Sequence, residues 1–342
     1  MPESKKAPSI AQVLPAAAIP GGEIQIRGSE LSGNGLPRVR LGDIAAPVVI
    51  GSNEMIVARV PDGAVPGPLV VEADSRRSSP WMCQIGVQVA DSLHPVANPA
   101  VDSNGNVYTT FSGSRGQKTP VSVYRIDAGF QVKPLISDLM NATALAFDRD
   151  GILYVSSRYD GIVYQVTARG EMSVYVEGMG VATGLAFDKE ENLYVGDRSG
   201  TIFKISRSRQ IYVFATVEPS IAAYHLAFGP NDDLYLSGPT TSSFDSIYRI
   251  SPAGDVQVFY RGLGRPQGMA FDSSDNLYVS ASLGGRRGVV RITPDRNAEL
   301  FLSGPNIVGL CFAPPGYAYV TTTSALYRVE TGVRGRPFPN LA

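Results

Sequence analysis

The chain has 342 residues and a net charge of −1, with 30 Lys and Arg against 31 Asp and Glu. That balance gives the whole molecule no long-range attraction to nucleic acid or to an anionic membrane surface. At 44% hydrophobic and 18% charged the composition fits a folded chain, and its 36 Gly and 25 Pro fit one rich in turns. Two cysteines, Cys83 and Cys311, read as buried small hydrophobes rather than a disulfide. With only two histidines beside them they cannot build a common zinc site unaided.

Residues 1–7 are polar and are expected to be a disordered leader. They lack the apolar run of a signal peptide, so the chain as written is expected to be cytoplasmic, and secreted or periplasmic only if the true N-terminus is missing. No segment approaches the length of a membrane span. From 8 to 91, short alternating stretches such as Ile24, Ile26 and Leu69-Val70-Val71 sit between Gly/Pro turns, and a small β-sandwich is expected. The opening Pro8-Ser9-Ile10, the run Gly21-Gly22-Glu23-Ile24-Gln25-Ile26-Arg27-Gly28 and the turn Val60-Pro61-Asp62-Gly63-Ala64-Val65-Pro66-Gly67 resemble the IPT/TIG family of immunoglobulin-like domains. That resemblance implies a non-catalytic spacer or binding module. Trp81 is expected in a core or an interdomain contact.

A short linker, 91–96 with Pro95, leads into a repeating phrase. Its cleanest copy is Gly184-Leu185-Ala186-Phe187-Asp188, a turn, then Leu193-Tyr194-Val195: strand, tight turn, strand. Equivalent copies centre on Val101, Phe147, Phe228, Phe271 and Phe312, at a period of about 40 to 46 residues, the range of four-stranded propeller blades. Each is followed by a third strand, such as Val163-Tyr164-Gln165-Val166 or Leu326-Tyr327-Arg328-Val329, and then a fourth. Stacked radially, such units bury faces that none could bury alone. The fold class is therefore all-β, with a six-bladed β-propeller over 95–342. The tyrosines Tyr108, Tyr154, Tyr194, Tyr235, Tyr278 and Tyr319 are expected between blades. Two stretches compete for the outer strand of the last blade. Val87-Gln88-Val89 has the spacing of a fourth strand, but Arg336-Pro337-Phe338 matches Lys133-Pro134-Leu135 in its distance from the preceding strand. The latter is expected to supply the outer strand, with 85–89 in the sandwich.

The Gly-Leu-Ala-Phe-Asp…Asn-Leu-Tyr-Val phrase and its sixfold count resemble the NHL repeats and the senescence-marker-protein/gluconolactonase family. The resemblance implies a divalent metal on the central axis, held by one Glu, two Asn and one Asp just before the phrase in four blades. Here those positions hold Ala97, Thr143, Thr183, Tyr224, Gln267 and Val308, none a carboxylate, whereas a hard cation needs several oxygen ligands and usually an anionic one. No catalytic residue, metal ligand or cofactor is therefore expected. Calcium or another divalent ion belongs only to the alternative, a metal-dependent lactone hydrolase or lyase. Asn98 and His225 lie one place later, where the family has glycine.

The two faces of such a propeller differ. Turns between first and second strands carry Asp102, Asp148, Asp188 and Asp272, good turn chemistry. Loops on the other face carry Arg115, Arg158, Arg198, Arg286 and Arg287, for which turn chemistry gives no reason. These arginines, with Asp197 among them and Thr143, Thr183, Tyr224, His225 and Gln267 as a floor, are expected to bind a small anionic ligand or the acidic segment of a protein partner without catalysis. The competing reading is that the arginines pair with Asp160, Asp197 and Asp245 and only tie loops together.

Overall fold

The structure, a computed structural model, describes residues 6–336. Among them the chain is nearly all β, interrupted by one short 3-10 turn at Pro230–Asp232. Six four-stranded antiparallel sheets follow one another, counting as the fifth a set of strands that a larger sheet absorbs. Their innermost strands are Ala100–Val101, Ala142–Phe147, Ala182–Phe187, His225–Phe228, Met269–Phe271 and Ile307–Ala313. Each touches the next, and Ala100–Val101 touches Ile307–Ala313, so the ring closes as a six-bladed β-propeller.

Closure corrects one expectation. The outer strand of the sixth blade is Val87–Ala90, antiparallel to Leu326–Glu330 with Val87 opposite Arg328 and Gln88 opposite Tyr327. Residues 87–90 therefore belong to the propeller's sheet and not to the N-terminal sheets, and the boundary drawn at 91 moves back to Gly86. The physical reason is burial: Val89 and Ala90 cover Leu326 and Tyr319 in one apolar cluster, and the strand ties the two ends of the ring into one sheet. Of the competing stretch, Pro337 and Phe338 lie outside the described residues. Arg336 instead donates its backbone N–H to Phe271 and pairs with Asp275 at 3.0 Å.

Residues 9–85 form two sheets. One orders its strands as Ser9–Leu14, Glu23–Ser29, Met55–Arg59 and Val48–Gly51. The other runs from Ala17–Ala18 through Trp81–Ile85, Gly67–Ala73 and Arg38–Leu41 to Ile44–Ala46. Their inward residues, among them Ile24, Ile26, Ile56, Leu69 and Val71, share one core, with Trp81 packed against it. These sheets are not free of the propeller. Ala17–Ala18 pairs in parallel with Ala298–Ser303, so the second sheet continues into blade five. Ile19 is 1% exposed and packs among Tyr278, Leu302 and Ile307.

The repeated aromatics build the joints of the ring. Tyr108 packs edge-on against Phe147 of the next blade, and the same pair recurs as Tyr154–Phe187, Tyr194–Phe228, Tyr235–Phe271 and Tyr278–Phe312, with centroids between 4.8 and 5.2 Å. A second ring comes from the outer strand. Each outer strand carries a bulge, which turns one residue inward. At that bulge Tyr175, Phe214, Phe259 and Phe301 pack edge-on against Tyr154, Tyr194, Tyr235 and Tyr278.

Candidate functional site

On the face of the first turns, the aspartates that open the turns, Asp102, Asp148, Asp188 and Asp272, are consumed by the turns themselves. Asp188 accepts the N–H groups of Glu190 and Asn192 at 3.0 and 2.8 Å and the side-chain amide of Asn192 at 2.8 Å. Asp272 does the same for Ser274 and Asn276, and also accepts the Tyr278 hydroxyl at 3.1 Å. Several of these carboxylates have basic partners as well, as in Lys204–Asp188 and Arg249–Asp233.

The opposite face is built differently. Arg158 follows the second strand of blade two, and Arg115 sits in the loop 111–122 of blade one. The two are brought together by Asn141. This residue is 1% exposed, holds a left-handed φ of 51°, and donates to the carbonyls of Gly113 and Ser114 at 2.8 and 3.0 Å while accepting the Gly116 N–H at 2.8 Å. Arg158 donates to the same Gly113 carbonyl at 3.1 Å. Its guanidinium is half-buried, and its pKa is held below the ordinary value by burial and then by the nearby charges of Arg198 and Arg115. Arg158 Nε is buried without a hydrogen-bond partner, as are the hydroxyls of Ser112, which is 0% exposed, and Thr119, which is 4% exposed. Thr119 packs against Gly113, so these groups surround one loop. Tyr159, exposed, lies against Gly116 of that loop.

The aspartates of this face do not neutralise the arginines. Asp160 accepts from Ile162 N–H and the Tyr164 hydroxyl, Asp197 from Val181 N–H and the Ser199 hydroxyl, and Asp245 from Thr240. Among the described residues no ion pair joins Arg115, Arg158, Arg198, Arg286 or Arg287 to a carboxylate.

The remaining candidates lie elsewhere, and Arg286 and Arg287 share a cavity of about 470 Å³ with Glu23 and Arg59 of the N-terminal sheets. Arg287 and Gln267 line one cavity of about 380 Å³ with Arg265, which the sequence reading did not single out. Arg286 lies at the junction with the N-terminal sheets, donating to the Leu14 carbonyl at 3.2 Å. The floor residues are mostly spent on the fold: Thr143 donates to Asn141, Thr183 to Gly196, and the Tyr224 hydroxyl to Glu218. His225 is 4% exposed, and burial pushes its imidazole pKa down to about 4, leaving it neutral at pH 7. Asn98 spends its amide on blades five and six, donating to Met269 at 2.8 Å and accepting from Leu310 at 3.1 Å. This donor set does not fit a hard divalent cation. The axial hydroxyls already serve backbone carbonyls, and no cluster of three or more His, Cys, Asp and Glu occurs among the described residues. Asn141, Ser112 and Thr119 were missed in the sequence. Asn141 carried the one usable signal, a residue that tolerates left-handed backbone placed just before a strand.

No family model matches the chain, and no curated protein matches it in sequence. Solved structures do match. A candidate gluconolactonase aligns at TM-score 0.61 and 17% identity over 75% of this chain and 94% of its own. An auxiliary nutrient binding protein from Bacteroides thetaiotaomicron aligns at TM-score 0.56 and 12% identity over 95% of this chain and 98% of its own, so the match extends over the N-terminal sheets. Virginiamycin B lyase from Staphylococcus aureus aligns at TM-score 0.52 and 14% identity, over 71% of this chain and 96% of its own. At such identities the likeness is one of fold, and the fold they share with this chain is the β-propeller.

Proposed function

We propose that this protein is a non-catalytic binding protein whose propeller face holds a small anionic ligand between Arg158, Arg115 and Arg198. The observation that carries the reading is Arg158: a half-buried guanidinium with no carboxylate partner and an unpartnered Nε, bonded to Gly113 of a loop that also buries the unpartnered hydroxyls of Ser112 and Thr119. Burying a cation and polar groups without partners is costly, and an anion that accepts from them offsets that cost. Guanidinium is suited to gripping carboxylate or phosphate through two parallel bonds. Exposed Tyr159 adds an apolar surface at the rim. The same reading takes the N-terminal sheets as an immunoglobulin-like module that positions the propeller and does no chemistry. The nutrient-binding relative in fold supports binding over turnover only as an analogy.

The test is a calorimetric titration of wild type and the Arg158→Ala/Arg198→Ala double variant with a panel of sugar acids and sugar phosphates. Wild type is expected to bind at least one, and the double variant to bind it about tenfold or more weakly, the scale of a charge-assisted hydrogen bond. Affinity is expected to fall as salt rises, since exposed attraction is screened within about 8 Å at physiological ionic strength. Equal binding by both proteins, or none by either, overturns the proposal.

A further inference from the structure

The aromatic frame of the ring lapses at the bulges of blades one and six, where Leu135 and Val89 stand, and blade one lacks the phrase's phenylalanine as well. At the bulge of the outer strand, where blades two to five carry Tyr175, Phe214, Phe259 and Phe301, blade one carries Leu135. In the repeated phrase, where the other blades carry phenylalanine, blade one carries Val101. Both smaller residues line the same cavity of about 670 Å³, on the face opposite the arginines. Its apolar wall includes Tyr108, Phe147 and Phe312, and its rim carries Asp102, Asp148 and Asp150. Arg149 lines the same rim and is paired with Glu191 at 3.3 Å, so the three aspartates outnumber it there. A simple packing defect would be a closed apolar void of the size of the missing ring atoms. This space instead opens to the turns, carries carboxylates at its mouth and has the volume of a small-molecule site.

We infer that this cavity is a second binding site, for a small amphipathic cation: an apolar or aromatic body in the notch left by Leu135 and Val101, with a protonated amine at the exposed Asp150 of the rim. Tyr108 and Phe147 in the lining suit such a body, through aromatic contact and cation–π attraction. The site is independent of the arginine face and of any ligand bound there.

The probe pair is phenylbutylamine and phenylbutyrate, the same apolar body with opposite charge. Wild type is expected to bind the amine saturably and to prefer it over the acid, read by calorimetry and by a rise in melting temperature. Leu135→Phe restores the ring that the repeat specifies and is expected to abolish amine binding while leaving or raising the melting temperature of the free protein. Asp150→Asn is expected to weaken the amine by about two- to fivefold, as for a partly exposed ion pair. Because Asp150 is exposed, Asp150→Lys keeps the test alive even if Leu135→Phe fails to fold, and it is expected to shift preference toward the acid. The Arg158→Ala/Arg198→Ala variant is expected to bind the amine as wild type does. Absence of saturable amine binding to wild type, equal binding of amine and acid, or full binding by folded Leu135→Phe overturns the inference.

Discussion

Asp188 shows how much a single position in the repeat does. It is 4% exposed, and its two oxygens hold the turn from Glu190 to Asn192 while Lys204 balances the charge at 3.6 Å. Tyr194, in the following strand, is 3% exposed and lies between Phe214 of its own blade and Phe228 of the next. Truncating Tyr194→Ala is expected to cost about 3–5 kcal/mol in urea unfolding, as for other buried aromatic-to-alanine changes. A cost near zero would place the ring outside the joint. His225 supplies the pH dependence. Its folded pKa, pushed to about 4 by burial, lies below the ordinary 6.5, so the unfolded chain binds the proton more readily. The stability from the neutral imidazole is fully present above pH 6.5 and is lost as pH falls toward about 4. That loss is expected to reach about 3 kcal/mol and to be missing from a His225→Gln variant followed by urea midpoint against pH. These turn and joint residues were legible in the sequence because their chemistry is local. The role of Asn141 was not, since its partners lie 25 to 28 residues away.

At the scale of elements, the seam between the last and first blades differs from the other joints. Tyr319 has no phenylalanine across it, because blade one carries Val101, and the bulge of the closing strand carries Val89. The seam depends instead on the ladder between Val87–Ala90 and Leu326–Glu330. Gly86 hands the chain from the N-terminal sheet to that strand through a gap with no room for a side chain: a Cβ there would lie 2.7 Å from Ile19 Cγ2 and 3.0 Å from Val329 Cγ2. Gly86→Val is expected to destabilise by about 1–3 kcal/mol through overpacking, measured by urea unfolding. It is also expected to favour self-association through the loosened edge of Leu326–Glu330, visible as a larger species in size-exclusion chromatography. An unchanged midpoint and a single monomer peak would show that the seam does not depend on this passage. In the sequence both candidate closing strands satisfied the spacing. Spacing alone does not reveal which of two segments reaches an open edge.

Across the whole molecule, a chain with net charge −1 becomes a disc with unlike faces. One face binds its carboxylates into turns, and the other leaves Arg158, Arg115 and Arg198 without carboxylate partners. The sequence by itself determined the all-β class, the repeat of six blades, the tyrosine at each joint and the division of charge between faces. All of these rest on local periodicity and turn chemistry, which recur within each repeat. Only the tertiary structure decided which strand closes the ring, that the N-terminal sheet runs on into blade five, that Arg286 leaves the arginine face for the junction, and that Thr143, Thr183 and Tyr224 serve the backbone. Those outcomes depend on which distant groups satisfy one another once buried. That is set by the packing of the closed ring, and no stretch of sequence carries it alone.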